Sequence, residues 1–456
     1  MSDESAFDII ILGTGLVESI AAAALSKAGL KVAHLDENAY YGGAQASLSL
    51  DEFVDYVNKL PGSSVSPTTL PHSRAYSITL APSIIPAVGP LISSLVSSGV
   101  ARYGGFRLID RVSIYDKALG IVSVPASKED IFKSKSIPLV DKRRLMRFLM
   151  FAAGDFEQLP EMEGTQETPF GQFLTDKFNL KDDVAKAITY ALAFSDSPAE
   201  PTLPVVQRLH RYLRSAGRYG ASPFLVGHYG SAGEIAQGFC RTAAVAGGVY
   251  ILGRRVTSIS SPTTPDGRYT ITLADFPEPI TCSTLVCASS TNSAQVHCVA
   301  IVDQPISFGD ESGAPEASIL VFPPGEVEGG VLNSAVTAFV VGESTMSTPQ
   351  GRWIIYLSAN CENNSGDVLK PYLDALLKVV QPLFTAFYAQ KGEMVPVPEG
   401  AVVSTGLGPL LFPELSDRAA EAGEKLFADV MRRIGKGDEI YEMWPPLEQN
   451  DVDDED

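Results

Sequence analysis

Residues 7–19 read Phe7-Asp8-Ile9-Ile10-Ile11-Leu12-Gly13-Thr14-Gly15-Leu16-Val17-Glu18-Ser19, residues 31–36 read Lys31-Val32-Ala33-His34-Leu35-Asp36, and residues 40–43 read Tyr40-Tyr41-Gly42-Gly43. Residues 9–12 form a continuous apolar run, as a strand buried on both faces needs. Gly13 and Gly15 make a tight turn, the Ala-rich residues 19–27 predict a helix packed close to a sheet, and residues 31–35 predict a second strand. Asp36 ends that strand where a ribose hydroxyl would be held. The unit is a strand-turn-helix-strand of dinucleotide-binding type. One position departs from it: the third small residue of the glycine fingerprint falls at position 18, which is Glu. Free N–H groups at a helix N-terminus attract anions. A carboxylate at that spot repels a pyrophosphate and takes its space. The expectation is the architecture without the cofactor.

A chain of 456 residues, 45% of them hydrophobic, has room for two or three domains, or for one large α/β domain with an insertion. Its net charge of −19 argues against nucleic-acid binding and against a polybasic membrane anchor. The five cysteines (Cys240, Cys282, Cys287, Cys298, Cys361) contain no Cys-x-x-Cys pair, which fits a reducing compartment and gives no disulfide or metal framework. The histidines are scattered, so no zinc site is expected. No basic segment precedes Phe7, no apolar run reaches the roughly 18 residues of a membrane helix, and no lipidation Cys stands near the acidic end. The expected location is cytoplasmic.

Working outward, residues 58–74 read as an exposed loop and residues 91–96 as a short helix entered after Pro90. Residues 107–115 and 121–124 read as a hairpin-like pair of strands. The pattern then changes. Residues 136–150 are amphipathic; Thr168 and Pro169 open a helix lined by Phe170, Phe173, Leu174 and Phe178; residues 184–194 and 205–213 give two more. Strand signals resume with residues 249–255 and 256–259, read as two strands or as one with a bend, after a helix over 233–246. They continue at 268–273, 281–287, 353–358 and 401–405, with helices over 368–380 and from a Ser416-Asp417 cap to Arg433. The division expected is a sheet domain in two parts (1–126 and 221–435), an inserted all-α domain (127–220) and a mobile acidic tail (436–456). The fold class is α/β: a Rossmann-related sheet domain of FAD-binding type with a helical insertion.

The other cofactor-facing turns of such a flavoprotein also look poor. The turn after the strand at 281–287 reads Ala288-Ser289-Ser290, and the approach to the last helix reads Phe412-Pro413-Glu414-Leu415-Ser416. No nucleophile–base motif and no His-Glu-x-x-His occurs. No catalytic residue is therefore assigned, and no cofactor: the FAD site is expected to be lost, leaving a flavoenzyme shell used for binding.

Beside these residues stand Leu95 to Phe106, Lys142-Arg143-Arg144, Gly217-Arg218-Tyr219-Gly220-Ala221-Ser222-Pro223-Phe224 and the stretch from Tyr229 to Gly248. Together with Gly13-Thr14-Gly15-x-x-Glu18 and Tyr40-Tyr41-Gly42-Gly43 they resemble the Rab GDP-dissociation inhibitor and Rab escort protein superfamily, well over about the first 260 residues and loosely after. The escort branch fits better. Its members present a Phe and an Arg eleven residues apart to the prenyltransferase α-subunit, and Phe132 and Arg143 stand at that spacing. On the residues alone, these are equally a core Phe and a solvated Arg.

The resemblance implies partners and roles. A Rab-facing platform would use Tyr41, Arg74, Glu234, Gln237, Arg241 and Ile251. Two departures bear on its geometry: Thr79 stands where the family has an acid, and residues 229–234 carry one extra residue. The chain would bind GDP-bound Rab GTPases, present them to the Rab geranylgeranyltransferase heterodimer and deliver the prenylated product to membranes, without bond chemistry of its own. Leaving geranylgeranyl chains in water costs roughly 0.8 kcal/mol per CH₂, so the helical domain would shield them. Leu145, Leu149, Phe173, Ile188, Leu192 and Phe194 are the candidate lining, or simply that domain's core. The alternatives are an inhibitor that recycles prenylated Rab, and an FAD-dependent oxidoreductase of amine-oxidase type.

Overall fold

The computed structural model describes residues 5–67, 70–125, 131, 137–264, 267–288, 294–308, 316–361, 365–391, 397–407, 412–436 and 442–445. The opening stretch folds as its pattern requires. β1 (Ala6–Leu12) lies between β2 (Val32–Asp36) and β14 (Ile280–Ala288), parallel to both. With β11 (Val249–Leu252), β12 (Val256–Ser260), β13 (Tyr269–Leu273) and β20 (Val402–Ser404) they form a seven-stranded sheet ordered β11-β2-β1-β14-β13-β12, β20 pairing with β14. Residues 249–259 are thus not one bent strand: β11 and β12 sit at opposite edges of the sheet.

Helix α1 (Leu16–Lys27) is buried along most of its length, because α8 (Ala232–Val245) and α10 (Leu415–Arg433) both pack on it. Its alanines allow that close approach. On the α10 side a Cβ at Gly423 would fall 2.7 Å from Ile20 Cγ2, so a side chain there would force the two helices apart.

A second sheet has eight strands in the order β4-β19-β15-β18-β17-β16-β8-β9. These are β4 (Ser64–Val65), β8 (Arg111–Asp116), β9 (Gly120–Ser123), β15 (Ala294–Val302), β16 (Ala317–Phe322), β17 (Val336–Val341), β18 (Trp353–Asn360) and β19 (Phe384–Lys391). Five of them, β4, β15, β16, β17 and β19, have no counterpart in the sequence reading, which took residues 58–74, β4 included, as an exposed loop. The expected strand over 107–115 breaks in two: β7 (Phe106–Leu108) pairs with β10 (Phe224–Gly227), while β8 joins β16. Asp110 holds the break. It accepts the N–H groups of Glu316 and Ala317 at 2.8 and 2.9 Å and pairs with Arg107 at 2.6 Å. The remaining strands are β3 (Ser47–Leu48), β5 (Ile78–Thr79) and β6 (Ile85–Pro86). Helix α2 (Leu50–Asn58), also absent from the reading, begins with a full capping box from Ser49 and Glu52.

The inserted helices are α4 (Leu139–Ala153), α5 (Phe170–Phe178), α6 (Asp182–Ala187), continued by a π-helical turn over Ile188–Leu192, and α7 (Thr202–Ser215). They share a core built on Phe148, Phe151, Phe170, Phe173 and Phe178. Pro169 occupies the N-cap of α5, one position before the expected place. Thr168 instead accepts at its carbonyl from Thr202. Towards the C-terminus, helix α9 (Lys370–Leu377) follows a short 3₁₀ turn. Within the described part of the tail, Trp444 stacks on Phe239 of α8 with ring centroids 5.8 Å apart.

Asp417 does not cap its own helix. It is fully buried, and its Oδ1 accepts the Leu91 N–H at 3.2 Å at the start of α3 (Pro90–Ser98), while Oδ2 takes Arg211 of α7 at 3.2 Å. Burial pushes its carboxyl up to about 6. The native state therefore binds this proton more tightly than the unfolded chain, whose Asp titrates near about 4. Stability contributed by the protonated form is present below pH 4 and is lost as pH rises to about 6. Asp417→Asn keeps an acceptor for Leu91 and cannot ionise. The wild-type melting temperature is expected to fall more between pH 5 and about pH 7.5 than that of the variant; parallel profiles in thermal unfolding would contradict this.

Candidate functional site

Where α1 starts, the protein fills its own anion seat. The Leu16 N–H donates to Gln45 Oε1 at 3.2 Å. The Glu18 carboxylate folds back over the turn, its Oε2 2.5 Å from where a Cβ on Gly15 would lie. Ser404 Oγ donates to the other Glu18 oxygen, and burial raises the Glu18 carboxyl above its ordinary range. A pyrophosphate would have to displace both side chains.

Asp36 is equally committed within this turn. Its Oδ2 accepts from Thr14 N–H and Oγ1 at 2.8 and 2.6 Å, and its Oδ1 from the Asn38 N–H and Nδ2 at 2.9 and 3.0 Å. Gly13, in left-handed backbone at φ +93°, donates its N–H to the Leu35 carbonyl at 2.7 Å and accepts from His34 Nε2. These residues do not fit a dinucleotide. Gln45 was not legible beforehand; only the preceding Gly42-Gly43 turn hinted that the chain doubles back here. Beyond the seat a cleft of about 980 Å³ persists, bordered by Glu18, Asp36, Arg254, Lys391 and Leu415.

The opposite side of this region presents α8. Glu234, Gln237 and Arg241 recur at helical spacing and share one face. Gln237 and Arg241 are exposed, and Glu234 is half-buried, with burial raising its carboxyl. The Arg241 guanidinium lies 4.4 Å from the Tyr103 ring centroid. Tyr41 is brought to the start of this helix by a tight approach. Gly42 has φ +97°, and a Cβ on it would meet Ala46 Cα at 2.9 Å and Gly233 Cα at 3.4 Å. The Tyr41 ring packs edge-on to Tyr250 at 5.6 Å.

The segment before Glu234 is held tightly. Tyr229, Gly230 and Ser231 all take positive φ, at 53°, 88° and 63°. Their N–H groups are held by the Thr345 carbonyl at 3.1 Å, Ser347 Oγ at 3.2 Å and the His228 carbonyl at 3.1 Å. Glu234 consequently stays in the first turn of α8. Thr79 is buried and donates its N–H to the Tyr356 hydroxyl at 3.2 Å. Ile251 sits on β11 beside Leu35 and packs on the cluster that holds Leu35, whereas Tyr250 packs on the α8 side. Ile251 thus faces away from Glu234, Gln237 and Arg241. Arg74 is exposed in the 3₁₀ turn Ser73–Ala75, whose Ser73 hydroxyl accepts the Asp51 N–H at the start of α2.

In the helical insertion, Arg143 is exposed on α4; Phe132 lies outside the described residues. Leu145, Leu149, Phe173 and Ile188 are buried against one another, and Leu192 is half-buried on the same cluster. Phe194 belongs elsewhere. At φ +53° it turns out of the insertion and packs on Tyr212 and Phe224, in the core shared with the eight-stranded sheet. Among the described residues no group of side chains could hold a metal ion, and no helix is long and apolar enough to cross a membrane.

The family model for the GDP dissociation inhibitor, "GDI", matches residues 1–403. The chain belongs to the GDP dissociation inhibitor family. Within the family it is similar to the Rab proteins geranylgeranyltransferase component A of Saccharomyces cerevisiae, at 31% identity over 82% of this chain and 64% of that one. The corresponding protein of Candida albicans is 35% identical over 55% and 41%. The chain thus spans about half the length of these component A relatives. A guanosine nucleotide diphosphate dissociation inhibitor of Arabidopsis thaliana is 31% identical over 81% of this chain and 83% of that one. The crystal structure of a Rab GDI from Plasmodium falciparum superposes with a TM-score of 0.71 at 20% identity, covering 94% and 98% of the two chains. A putrescine oxidase follows at 0.56 and 13%, covering 94% and 99%. These likenesses establish an α/β fold that this chain shares with a Rab GDI and with oxidoreductases.

Proposed function

We propose that this member of the GDI family is a Rab escort protein. It binds unprenylated, GDP-bound Rab GTPases on the α8 face, presents them to Rab geranylgeranyltransferase and carries the prenylated product to membranes. The observation that carries this reading is the phosphate seat closed by Glu18 and Gln45, on a scaffold whose exposed α8 face offers a cation stacked on Tyr103. A shell that has internalised its cofactor contacts retains surfaces for protein partners.

The preference for an escort over an inhibitor rests on Phe132 and Arg143, since both kinds of relative are 31% identical over similar shares of the chain. In vitro prenylation of a Rab by the purified transferase is the test. Product is expected only when this chain is added, and Phe132→Ala is expected to reduce its co-elution with the transferase. Extraction of prenylated Rab from membranes, with no co-elution by the wild type, would instead identify an inhibitor. A flavin absorption band in the purified protein, with turnover attached, would overturn both.

A further inference from the structure

The eight-stranded sheet carries polar residues on a face that is otherwise core. Thr337, Ser358, His297 and Tyr388 lie side by side across β17, β18, β15 and β19. Asn360, Gln295 and Gln390 form the row one pleat further on. Thr337, Ser358, Asn360, His297 and Gln295 border a cavity of about 70 Å³, closed from the helical insertion by Phe194 and Asp196. Burying such groups without partners is costly, so their hydrogen bonds need accounting.

Asp196 accepts from Ser334 Oγ at 2.6 Å and from Asn360 Nδ2 at 3.3 Å. Asn360 Oδ1 accepts from Gln295 Nε2 at 2.9 Å, and Gln390 Nε2 donates to the Tyr56 hydroxyl at 2.9 Å. His297 is 3% exposed, and its Nε2 has no hydrogen-bond partner among the described residues. Burial lowers the imidazole to about 4, so it is neutral, and a hydrogen bond with Gln390 occupies the other ring nitrogen. Among the described residues, His297 Nε2 is thus left buried without a partner.

The cavity therefore offers the unpartnered His297 Nε2, the Asp196 carboxylate and the Ser358 and Thr337 hydroxyls. We propose that it is a binding site for the ammonium end of a primary alkylamine, which enters through the large cleft. An ammonium group has three N–H donors and no acceptor, and its charge answers Asp196. The alkyl stem has apolar walls in Phe194, Val321, Ala335 and Phe412. Ala81, Gln295 and Leu415 border both spaces, so the cavity adjoins the cleft. This assignment is independent of any Rab function.

Titration calorimetry of the full chain with n-butylammonium chloride tests it, with n-butanol and tetramethylammonium chloride as probes of equal reach or charge. Butylammonium is expected to bind and the other two not. Asp196→Asn, which keeps an acceptor for Ser334 and removes the charge, is expected to weaken binding by about tenfold or more. Absence of binding heat, or butanol binding as well as butylammonium, would overturn the proposal without any variant. Unchanged affinity in a folded Asp196→Asn protein would do so as well.

Discussion

Arg241→Glu is expected to weaken the proposed binding of GDP-bound Rab by about a hundredfold or more while leaving the melting temperature almost unchanged. The stability half follows from the surroundings. Arg241 is exposed, and among the described residues it makes no ion pair; its recorded contact is the Tyr103 ring at 4.4 Å. Surface substitutions of this kind fall within roughly 0.5 kcal/mol. The binding half follows from position. Arg241 stands two turns from Glu234 on the same face of α8, with Gln237 between them and Tyr41 beside the helix start. An arginine held flat on an aromatic ring is pre-organised, and reversing a charge at an interface adds repulsion to a lost contact. Tyr103→Ala should give a smaller loss, because it frees Arg241 without removing it. Titration calorimetry with a Rab loaded with GDP measures both. An Arg241→Glu affinity close to that of the wild type would move the interface off α8.

Residues with a local rule behind them were legible in the sequence. β1, α1 and β2 follow from an apolar run, a glycine turn and an alanine helix. The Glu at position 18 announced a blocked seat from one side chain. Gln45 did not, since its role depends on a turn that returns residues 42–46 to the start of α1. Asp417 reads as a cap for its own helix but caps α3, whose first turn lies more than three hundred residues away in sequence. β15 and β19 were missed because alternation fails in strands buried on both faces. Phe194 looked like a wall of the helical domain; a left-handed residue after the π-turn sends it into a different core. What escaped the sequence is what tertiary contact decides.

Phe173→Ala is expected to cost about 3–5 kcal/mol, and to do so locally. Phe173 is fully buried, with the rings of Phe151, Phe170 and Phe178 at 5.9, 6.3 and 5.7 Å. The cluster it belongs to is confined to the helical insertion. Removing the ring should therefore split thermal or urea unfolding into two transitions, the insertion melting first. Phe173→Leu conserves most of the volume and should cost less than about 1.5 kcal/mol. The functional consequence separates two roles for the same residues. In this structure Leu145, Leu149, Phe173 and Ile188 close on one another, so a lipid chain among them requires α4 and α5 to part. The π-turn over Ile188–Leu192 contributes Ile188 and Leu192 to this cluster and is where such a movement would be taken up. Under the proposed function, Phe173→Ala should then impair retention of prenylated Rab yet leave unprenylated Rab bound at the α8 face. Equal loss of both forms, with a single unfolding transition, would show that the insertion and the sheet domain act as one unit and that these side chains are core alone.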